Sequence, residues 1–321
     1  MNKLAFYIHC FTNLNVSKSK GVAPNKPILI LSIIDLIDKG YIDNCWINIS
    51  PELVETFRKI WMKLVFEDRD MIFALPFFHM KSEKFWQLRP KQGYEKAVSS
   101  VKSIRSLGSL REMIDCAKLD DDLFIILAYK VKREIIIQEI LNKYFPNSKQ
   151  EYSSLERNLF SFISLEEEPE SYKQEILSLK ASLNKNRYQE EVFVRSGAFK
   201  RMITQNYNDR CAISGMKLTA TTNISMLDAC HIVPFAESYD DTPSNGIALT
   251  PTLHRAFDRG LISISEDYKV LLNDNFKEDT SSPYNLTQFG GLSISLPYSK
   301  KYYPSQENLR FHREHFGFKF H

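Results

Sequence analysis

The sequence predicts an α+β protein with a mostly helical N-terminal domain that contains a small strand element, a linker helix, and a C-terminal domain of strands and a short helix. Its 321 residues are enough for two hydrophobic cores. The composition, 43% hydrophobic and 25% charged, is typical of globular proteins. A polar, acidic stretch separates the two halves. We therefore expect domains at residues 1–147 and 191–321, joined by a linker at 148–190.

Helix start and stop signals dominate the first half of the chain. Apolar residues from Lys3 to Asn13 suggest an opening helix, and Lys18 to Pro24 is typical of a loop. A buried helix is expected from Pro27, which fits a first helical turn, to Gly40, which ends it. Ser50-Pro51 is a second start signal, with serine as N-cap and proline at the first helical position.

The rest of the N-terminal half adds strands and further helices. Ile72 to Phe78 and Phe85 to Leu88 have the composition of two short strands. Helices are expected near Ser109 to Cys116 and from Asp120 to Leu141. Beyond Pro146 the pattern changes, which places the end of this domain.

Charge is divided unevenly between the halves. Residues 1–150 contain 23 Lys and Arg against 17 Asp and Glu, and residues 151–321 contain 19 against 22. Basic side chains that neutralise phosphates supply most sequence-independent affinity for DNA, so this excess favours the N-terminal half as the part that would hold a nucleic acid. Solvated lysines on helix faces explain the excess equally well.

The expected linker contains an acidic run, Glu166 to Glu170, followed by a polar helix from Tyr172 to Leu183. It is interpreted as a solvated spacer or bridging helix. The alternative is an acidic arm that shields a DNA-binding surface when no substrate is bound.

Several classes of protein are disfavoured. The longest apolar run, Ile28 to Leu36, is too short for a membrane span and contains Asp35, and no secretory signal is apparent, so a cytoplasmic protein without a membrane partner is expected. The five cysteines are scattered and form no C-x-x-C pair. Ser214 stands where a partner for Cys211 would complete such a pair, so no structural zinc is expected.

The C-terminal half combines a helix from Gly197 to Tyr207, a strand from Ile224 to His231, and a second strand after Asn245-Gly246. Thr250-Pro251 then starts a short helix that Gly260 ends. Three residues able to carry chemistry thus fall on a strand, a loop and a helix. They are His231, Asn245 and His254.

Three segments in this region resemble, in order and spacing, the HNH nuclease family with its ββα-metal fold. The segments are Asp228-Ala-Cys-His231-Ile-Val-Pro234, Asn245-Gly246 and His254-Arg-Ala-Phe-Asp258. The resemblance implies that His231 is the general base and that His254 binds a single divalent ion, Mg²⁺ or Mn²⁺. Many members carry a metal-binding acid immediately before the base, where this chain has Cys230. Asp228 is therefore expected to replace that ligand.

Two further residues have alternative interpretations. Asn245 is expected to orient the loop of the base through its side-chain amide, although Asn-Gly is also a common hairpin turn. Asp258 lies one helical turn after His254, so it either accepts a hydrogen bond from that imidazole or caps the helix. No role is assigned to His312, His315 and His321.

The N-terminal half resembles the sulfur-binding domain of phosphorothioate-dependent restriction endonucleases. The segments are Ala23-Pro24-Asn25-Lys26-Pro27-Ile-Leu-Ile-Leu31, Ala74-Leu-Pro76-Phe77-Phe78-His79, Phe85-Trp86 and Tyr144-Phe145-Pro146. Sulfur is softer and less hydrated than oxygen, so a shallow apolar cup distinguishes the two by desolvation. The expected cup and its adjacent loop comprise Pro24, Asn25, Lys26, His79, Tyr144, Phe145 and Pro146.

The resemblance also implies a cation beside this cup. The candidates are Lys26, Lys81, Lys84 and Arg89, and the sequence does not distinguish them. Four large aromatic residues nearby are expected to belong to the core instead. They are Phe77, Phe78, Phe85 and Trp86.

Together the two resemblances predict a restriction endonuclease that cuts both strands of phosphorothioate-modified DNA. One active site per chain favours a homodimer, at least transiently. The first alternative is an HNH endonuclease whose N-terminal domain binds methylated or unmodified DNA. The second is a DNA-binding protein without catalysis, which the presence of both base and metal ligand disfavours.

Overall fold

The computed structural model describes residues 3–16, 22–67, 69–152, 165, 168–218, 225–279 and 281–318. It forms two compact units. The N-terminal unit comprises Met1–Ser161 with Asn184–Val194, and the C-terminal unit comprises Phe162–Leu183 with Arg195–His321. Both combine helices with small antiparallel sheets, which confirms the α+β class. The domain boundaries expected from the sequence stay a prediction.

The N-terminal unit is mostly helical. Its helices are α1 (Lys3–Thr12), α2 (Asn25–Asp38), α3 (Pro51–Leu64), α4 (Ala74–His79), α5 (Glu95–Ser100), α6 (Leu107–Met113), α7 (Asp121–Ala128), α8 (Lys130–Tyr144) and α9 (Lys149–Tyr152). Its strands are β1 (Trp46–Asn48), β2 (Trp86–Pro90) and β3 (Ile114–Leu119). They form one antiparallel sheet in the order β1-β3-β2.

The start signals in this unit are confirmed. Helix α2 is buried almost all round and packs against α3, as its continuous apolar run predicts. Helix α3 begins at Pro51, and the Ser50 hydroxyl accepts a hydrogen bond from the Leu53 amide at 3.2 Å. This serine cap satisfies one of the amides that the first helical turn leaves without a partner.

The strand expected from Ile72 to Phe78 is wrong, because most of this segment forms α4. Phe73 and Phe77 stand four residues apart, their ring centroids lie 5.8 Å apart, and both are buried. Pro76 is tolerated because it lies in the first helical turn. In a short apolar run the helical and strand periods cannot be told apart.

Two helix predictions in this unit extended too far. The helix expected to reach Cys116 ends at Met113, and the chain continues as β3, the central strand of the sheet. The helix expected from Asp120 to Leu141 is two helices, separated at Tyr129, whose backbone is extended. The Arg133 guanidinium donates hydrogen bonds to two carbonyls at the end of α7, which stabilises the break.

The C-terminal unit contains the second part of helix α11 (Lys185–Asn206), which starts earlier than predicted. Its other helices are α10 (Pro169–Ser182), α12 (Phe235–Ser238), α13 (Pro251–Asp258) and α14 (Gln306–His315). Its strands are β4 (Asp228–His231), β5 (Gly246–Leu249), β6 (Ile262–Ile264) and β7 (Val270–Leu272). Strands β4 and β5 form one antiparallel hairpin, and β6 and β7 form another.

The first hairpin and α13 give the predicted strand, loop, strand and helix. His231 pairs with Gly246 at the end of the hairpin next to the connecting loop, and Asp228 pairs with Leu249 at the far end. The strand begins at residue 228, whereas the predicted start, Ile224, lies outside the described residues. Thr250 is the N-cap of α13 with extended backbone, but in the described part of the chain its hydroxyl accepts no capping hydrogen bond.

The predicted polar helix of the linker is α10, and it belongs to the C-terminal unit. Two of its side chains, Tyr172 and Ile176, are completely buried. A solvated spacer would expose them, so α10 packs as part of the unit. Glu166 and Glu167 of the acidic run lie outside the described residues, as does His321. Among the described helices, none has the length and apolarity needed to cross a membrane.

Candidate active site

The hairpin and α13 bring both predicted histidines to one cavity. This cavity has a volume of about 300 Å³, and His231, His254 and Asp258 line it together. His231 comes from the end of β4, whereas the other two come from successive turns of α13. The strand-to-helix arrangement therefore places a candidate base and candidate metal ligands around a space large enough for a phosphate group.

The His231 imidazole is held on two sides. Its ring stacks on Phe199 of α11 with a centroid distance of 4.0 Å and an interplanar angle of 10°. Its Nε2 lies 2.8 Å from Asp241 Oδ1, and the Tyr172 hydroxyl donates to the other oxygen of Asp241 at 3.1 Å. An ionised Asp241 accepts a hydrogen bond from Nε2–H, which leaves the lone pair on Nδ1. The ring is thereby fixed in orientation, with Nε2 directed at the carboxylate.

Asp241 was not predicted from the sequence. It lies in the long loop after β4, ten positions from His231, and it is almost completely buried. Its partner Tyr172 is far away along the chain, in α10. No spacing rule relates these positions, and the only sequence signal is the adjacent pair Asp240-Asp241 in an otherwise unremarkable loop.

Asn245 fixes the loop that follows His231. Its side-chain oxygen accepts from the Val233 amide at 2.9 Å, and its side-chain nitrogen donates to the carbonyls of Val233 and Asp240, each at 2.9 Å. The residue ends a short 3-10 helix, and the strands it joins are separated by a long loop, so Asn245-Gly246 is not a tight hairpin turn. These contacts support the predicted orienting role.

A glycine is needed at position 246 because β5 approaches α11 closely there. A Cβ atom at this position would lie 2.3 Å from Ile203 and 2.8 Å from the Phe199 ring, both on α11. Because Phe199 also stacks on His231, the glycine lets β5 come close enough to α11 for this stacking. The Asn-Gly pair thus serves packing and loop orientation together.

The His254 imidazole lies between two carboxylates. Its Nδ1 is 3.3 Å from Asp228 Oδ2, and its Nε2 is 3.3 Å from Asp258 Oδ2. Asp228 and Cys230 share the strand face that meets α13, as the alternation of β4 predicts. The Cys230 sulfur lies 3.7 Å from Asp258 Oδ1.

These side chains provide a donor set that fits a divalent cation. One ligand atom each from Cys230, His254 and Asp258 can be chosen so that all three lie within 4.8 Å of one another. Imidazole, carboxylate and thiolate are all established ligand types for divalent ions. Burial raises the pKa of the Cys230 thiol well above its usual value, and the nearby Asp258 carboxylate raises it further. The thiol is thus neutral until a cation replaces its proton.

His312 stabilises the helix that carries His254. Its ring stacks on Phe257 at a centroid distance of 3.7 Å, its Nδ1 lies 2.9 Å from the Ser263 hydroxyl, and its Nε2 lies 3.1 Å from the Phe257 carbonyl. Burial lowers the pKa of His312 to about 4. This histidine is therefore neutral near pH 7 and serves the core rather than proton transfer.

A second cavity, of about 230 Å³, lies in the N-terminal unit. It brings together four of the residues predicted to form the sulfur cup, which are Pro24, Tyr144, Phe145 and Pro146. Arg69 also lines it. The Arg69 Nε lies 2.5 Å from a carboxylate oxygen of Glu67. Among the described residues that line the cavity, Arg69 is the one with a cationic side chain. Arg69 is not predicted from the sequence, because nothing in its sequence neighbourhood links it to the Tyr144 segment.

The other predicted residues of the cup lie elsewhere in this unit. Asn25 is the first residue of α2. Lys26 is buried and contacts Glu83 at 2.5 Å and the Ser82 hydroxyl at 2.8 Å. The His79 Nε2 lies 3.1 Å from the Ser103 hydroxyl, and burial, followed by the charges of Lys26 and Lys81, lowers its pKa. Asn25, Lys26 and His79 are not among the described residues that line the cavity.

The remaining cation candidates are also placed away from this cavity. Lys81 lies over the Phe78 ring at 3.8 Å, and Arg89 lies 5.4 Å from the Trp46 ring. Neither these two nor Lys84 is among the described residues of the lining. The four aromatic residues assigned to the core are confirmed there. They are Phe77, Phe78, Phe85 and Trp86.

Two antiparallel strands followed by a helix carry His231, Asn245 and His254 in the order that the resemblance to the ββα-metal nucleases predicts. Residues 211–265 match the HNH endonuclease family. The C-terminal unit thus contains an HNH endonuclease domain.

One solved structure, titled "Modification dependent TagI restriction endonuclease", is similar at 21% sequence identity with a TM-score of 0.30. The match covers 38% of each chain, so this protein spans well under half of that relative. No curated protein matches the sequence.

Proposed function

We propose that this protein is a DNA endonuclease that hydrolyses phosphodiester bonds with His231 as general base and a divalent metal ion held by His254. The observation that carries the proposal is the shared cavity of His231, His254 and Asp258, within the segment that matches the HNH endonuclease family. A non-catalytic DNA-binding protein would not need an imidazole fixed by a buried carboxylate beside a set of metal-ligating side chains.

The chain's own residues have distinct tasks in this proposal. His231 accepts the proton of the attacking water at Nδ1, because Asp241 occupies Nε2. Asn245 keeps the loop after His231 in place through its three amide contacts. A bound divalent ion stabilises the charge that develops on the phosphate. Asp228 and Asp258 flank His254 and either bind the ion or orient that imidazole.

We further propose that the N-terminal unit binds phosphorothioate-modified DNA in the cavity formed by Pro24, Tyr144, Phe145 and Pro146. The apolar part of this lining suits a weakly hydrated sulfur atom. The Arg69 guanidinium, which is paired through Nε with Glu67 of the same lining, supplies a positive charge for the rest of the modified phosphate when that ion pair opens. Charge and apolar surface thus lie side by side, which a thiophosphate requires.

The test of this function is cleavage of matched duplexes that differ only in one phosphorothioate linkage. With a divalent cation present, we expect the modified duplex to be cut on both strands and the plain duplex to remain largely intact. Gel analysis of both strands under single-turnover conditions measures this. Equal cutting of the two duplexes would favour an HNH endonuclease that binds unmodified DNA, and a methylated duplex in the same series tests the remaining alternative.

Replacing Pro146 by alanine should weaken binding to the modified duplex about tenfold, because two ring methylenes no longer shield the sulfur. Affinity for plain DNA should change little. Fluorescence anisotropy on both duplexes in the absence of metal provides the measurement. Lys96→Ala, which removes an exposed cation outside the cavity, is the matched control. An equal loss on plain and modified DNA would contradict a sulfur contact.

A further inference from the structure

The metal-ligating group in the C-terminal unit contains a thiol. The Cys230 side chain is completely buried on β4 and faces α13, where Asp258 Oδ1 lies 3.7 Å from its sulfur. The Asp258 Oδ2 atom in turn lies 3.3 Å from His254 Nε2. One sulfur, one carboxylate oxygen and one imidazole nitrogen, from two different elements, therefore lie within 4.8 Å of one another.

The number and kind of these ligands indicate which ions fit the site. Three protein ligands with a fourth position left open are the usual arrangement around a tetrahedral Zn²⁺ ion in a catalytic site. A Mg²⁺ ion is instead octahedral and takes mainly carboxylate oxygens and water. A set of one sulfur, one nitrogen and one oxygen ligand fits the first arrangement better.

The remaining nitrogen of His254 has a partner of its own. Its Nδ1 lies 3.3 Å from Asp228 Oδ2, and Lys200 Nζ lies 3.6 Å from the other oxygen of Asp228. Metal-binding histidines usually donate their second ring N–H to a carboxylate, which fixes the tautomer. Asp228 is placed for this task, whereas Asp258, together with His254, lines the cavity that contains His231.

We propose that Cys230, His254 and Asp258 form a mixed sulfur, nitrogen and oxygen site that selects a thiophilic divalent ion of the Zn²⁺ and Co²⁺ class over Mg²⁺. Hard Mg²⁺ prefers oxygen ligands, whereas a thiolate favours softer ions. Asp228 then orients His254 instead of binding the ion, which reverses the roles expected from the sequence. This inference rests on the proposed nuclease function only in placing the ion beside His231.

The probe is Co²⁺ added to the full-length metal-free protein and followed by absorption spectroscopy. We expect visible bands of a four-coordinate ion together with a near-ultraviolet charge-transfer band from thiolate to cobalt. Cys230→Ser should lose the near-ultraviolet band and bind Co²⁺ at least about tenfold more weakly. Asp228→Asn should keep the band and weaken binding by about 10–100-fold. Cys10→Ser, a change in the N-terminal unit, is the matched control and should behave as the wild type.

A second measurement does not depend on the folding of a variant. Excess Mg²⁺ should fail to bleach the cobalt spectrum of the wild-type protein, whereas Zn²⁺ should bleach it at stoichiometric amounts. The proposal is overturned when the wild-type protein with bound Co²⁺ shows no thiolate band, when the band survives in Cys230→Ser, or when Mg²⁺ displaces Co²⁺ readily. A thiolate band without DNA cleavage under any metal would instead support this site and count against the nuclease function.

Discussion

Replacing His231 by alanine should lower the rate of DNA cleavage by about 10²–10⁴-fold, the range that a general base contributes. The imidazole is the base candidate at the end of β4, its Nε2 is occupied by Asp241, and its Nδ1 is left to accept a proton from water. DNA affinity should stay close to the wild-type value, because His231 is assigned to proton transfer and not to holding the DNA. Single-turnover cleavage and anisotropy binding on the same duplex separate the two effects.

The control for this variant comes from the same cavity. His315 also lines it, is exposed, and has no role in the proposed chemistry. His315→Ala should therefore cleave DNA at nearly the wild-type rate. This result would show that removing an imidazole from the cavity does not by itself stop cleavage. A His231→Ala protein that still cuts DNA at the wild-type rate would disprove the assignment of the base.

The helices that the sequence predicts well are those with local start signals. Ser50 and Pro51 define the first turn of α3 through one hydroxyl and one fixed backbone angle, so neighbouring residues are sufficient. The segment from Ile72 to Phe78 has no such signal, and packing of Phe73 and Phe77 against the core decides its helical form. Strand β3 likewise depends on pairing with β1 and β2, which are distant in sequence.

The same distinction applies to the sites. His231, Asn245 and His254 belong to short motifs with characteristic neighbours, so the sequence alone suggested them. Asp241 and Arg69 have no such neighbours, and only folding brings them to their sites. Electrostatic partners of this kind are selected by position in space, and a spacing rule cannot detect them.

Replacing Asp241 by asparagine should lower the cleavage rate by about 10²–10⁴-fold although Asp241 does not contact the substrate in this mechanism. The carboxylate accepts from His231 Nε2–H and stabilises the imidazolium that forms when Nδ1 takes up a proton. The amide of asparagine is neutral and can also donate to Nε2, which favours the tautomer with the proton on Nδ1. The base would then present a donor to the water that it must deprotonate.

A readout other than activity distinguishes this positioning role from a general loss of structure. The ¹⁵N shifts of the His231 imidazole should indicate Nε2–H in the wild-type protein and a shift towards Nδ1–H in Asp241→Asn, with unchanged DNA affinity. Tyr172→Phe provides the graded comparison, because it removes the hydroxyl that donates to Asp241 and leaves the carboxylate on His231. Loss of this hydrogen bond should weaken the stabilisation of the imidazolium by roughly 1 kcal/mol, which lowers the cleavage rate about fivefold. An Asp241→Asn protein with the wild-type tautomer and wild-type rate would show that the stacking of His231 on Phe199 is sufficient to orient the base.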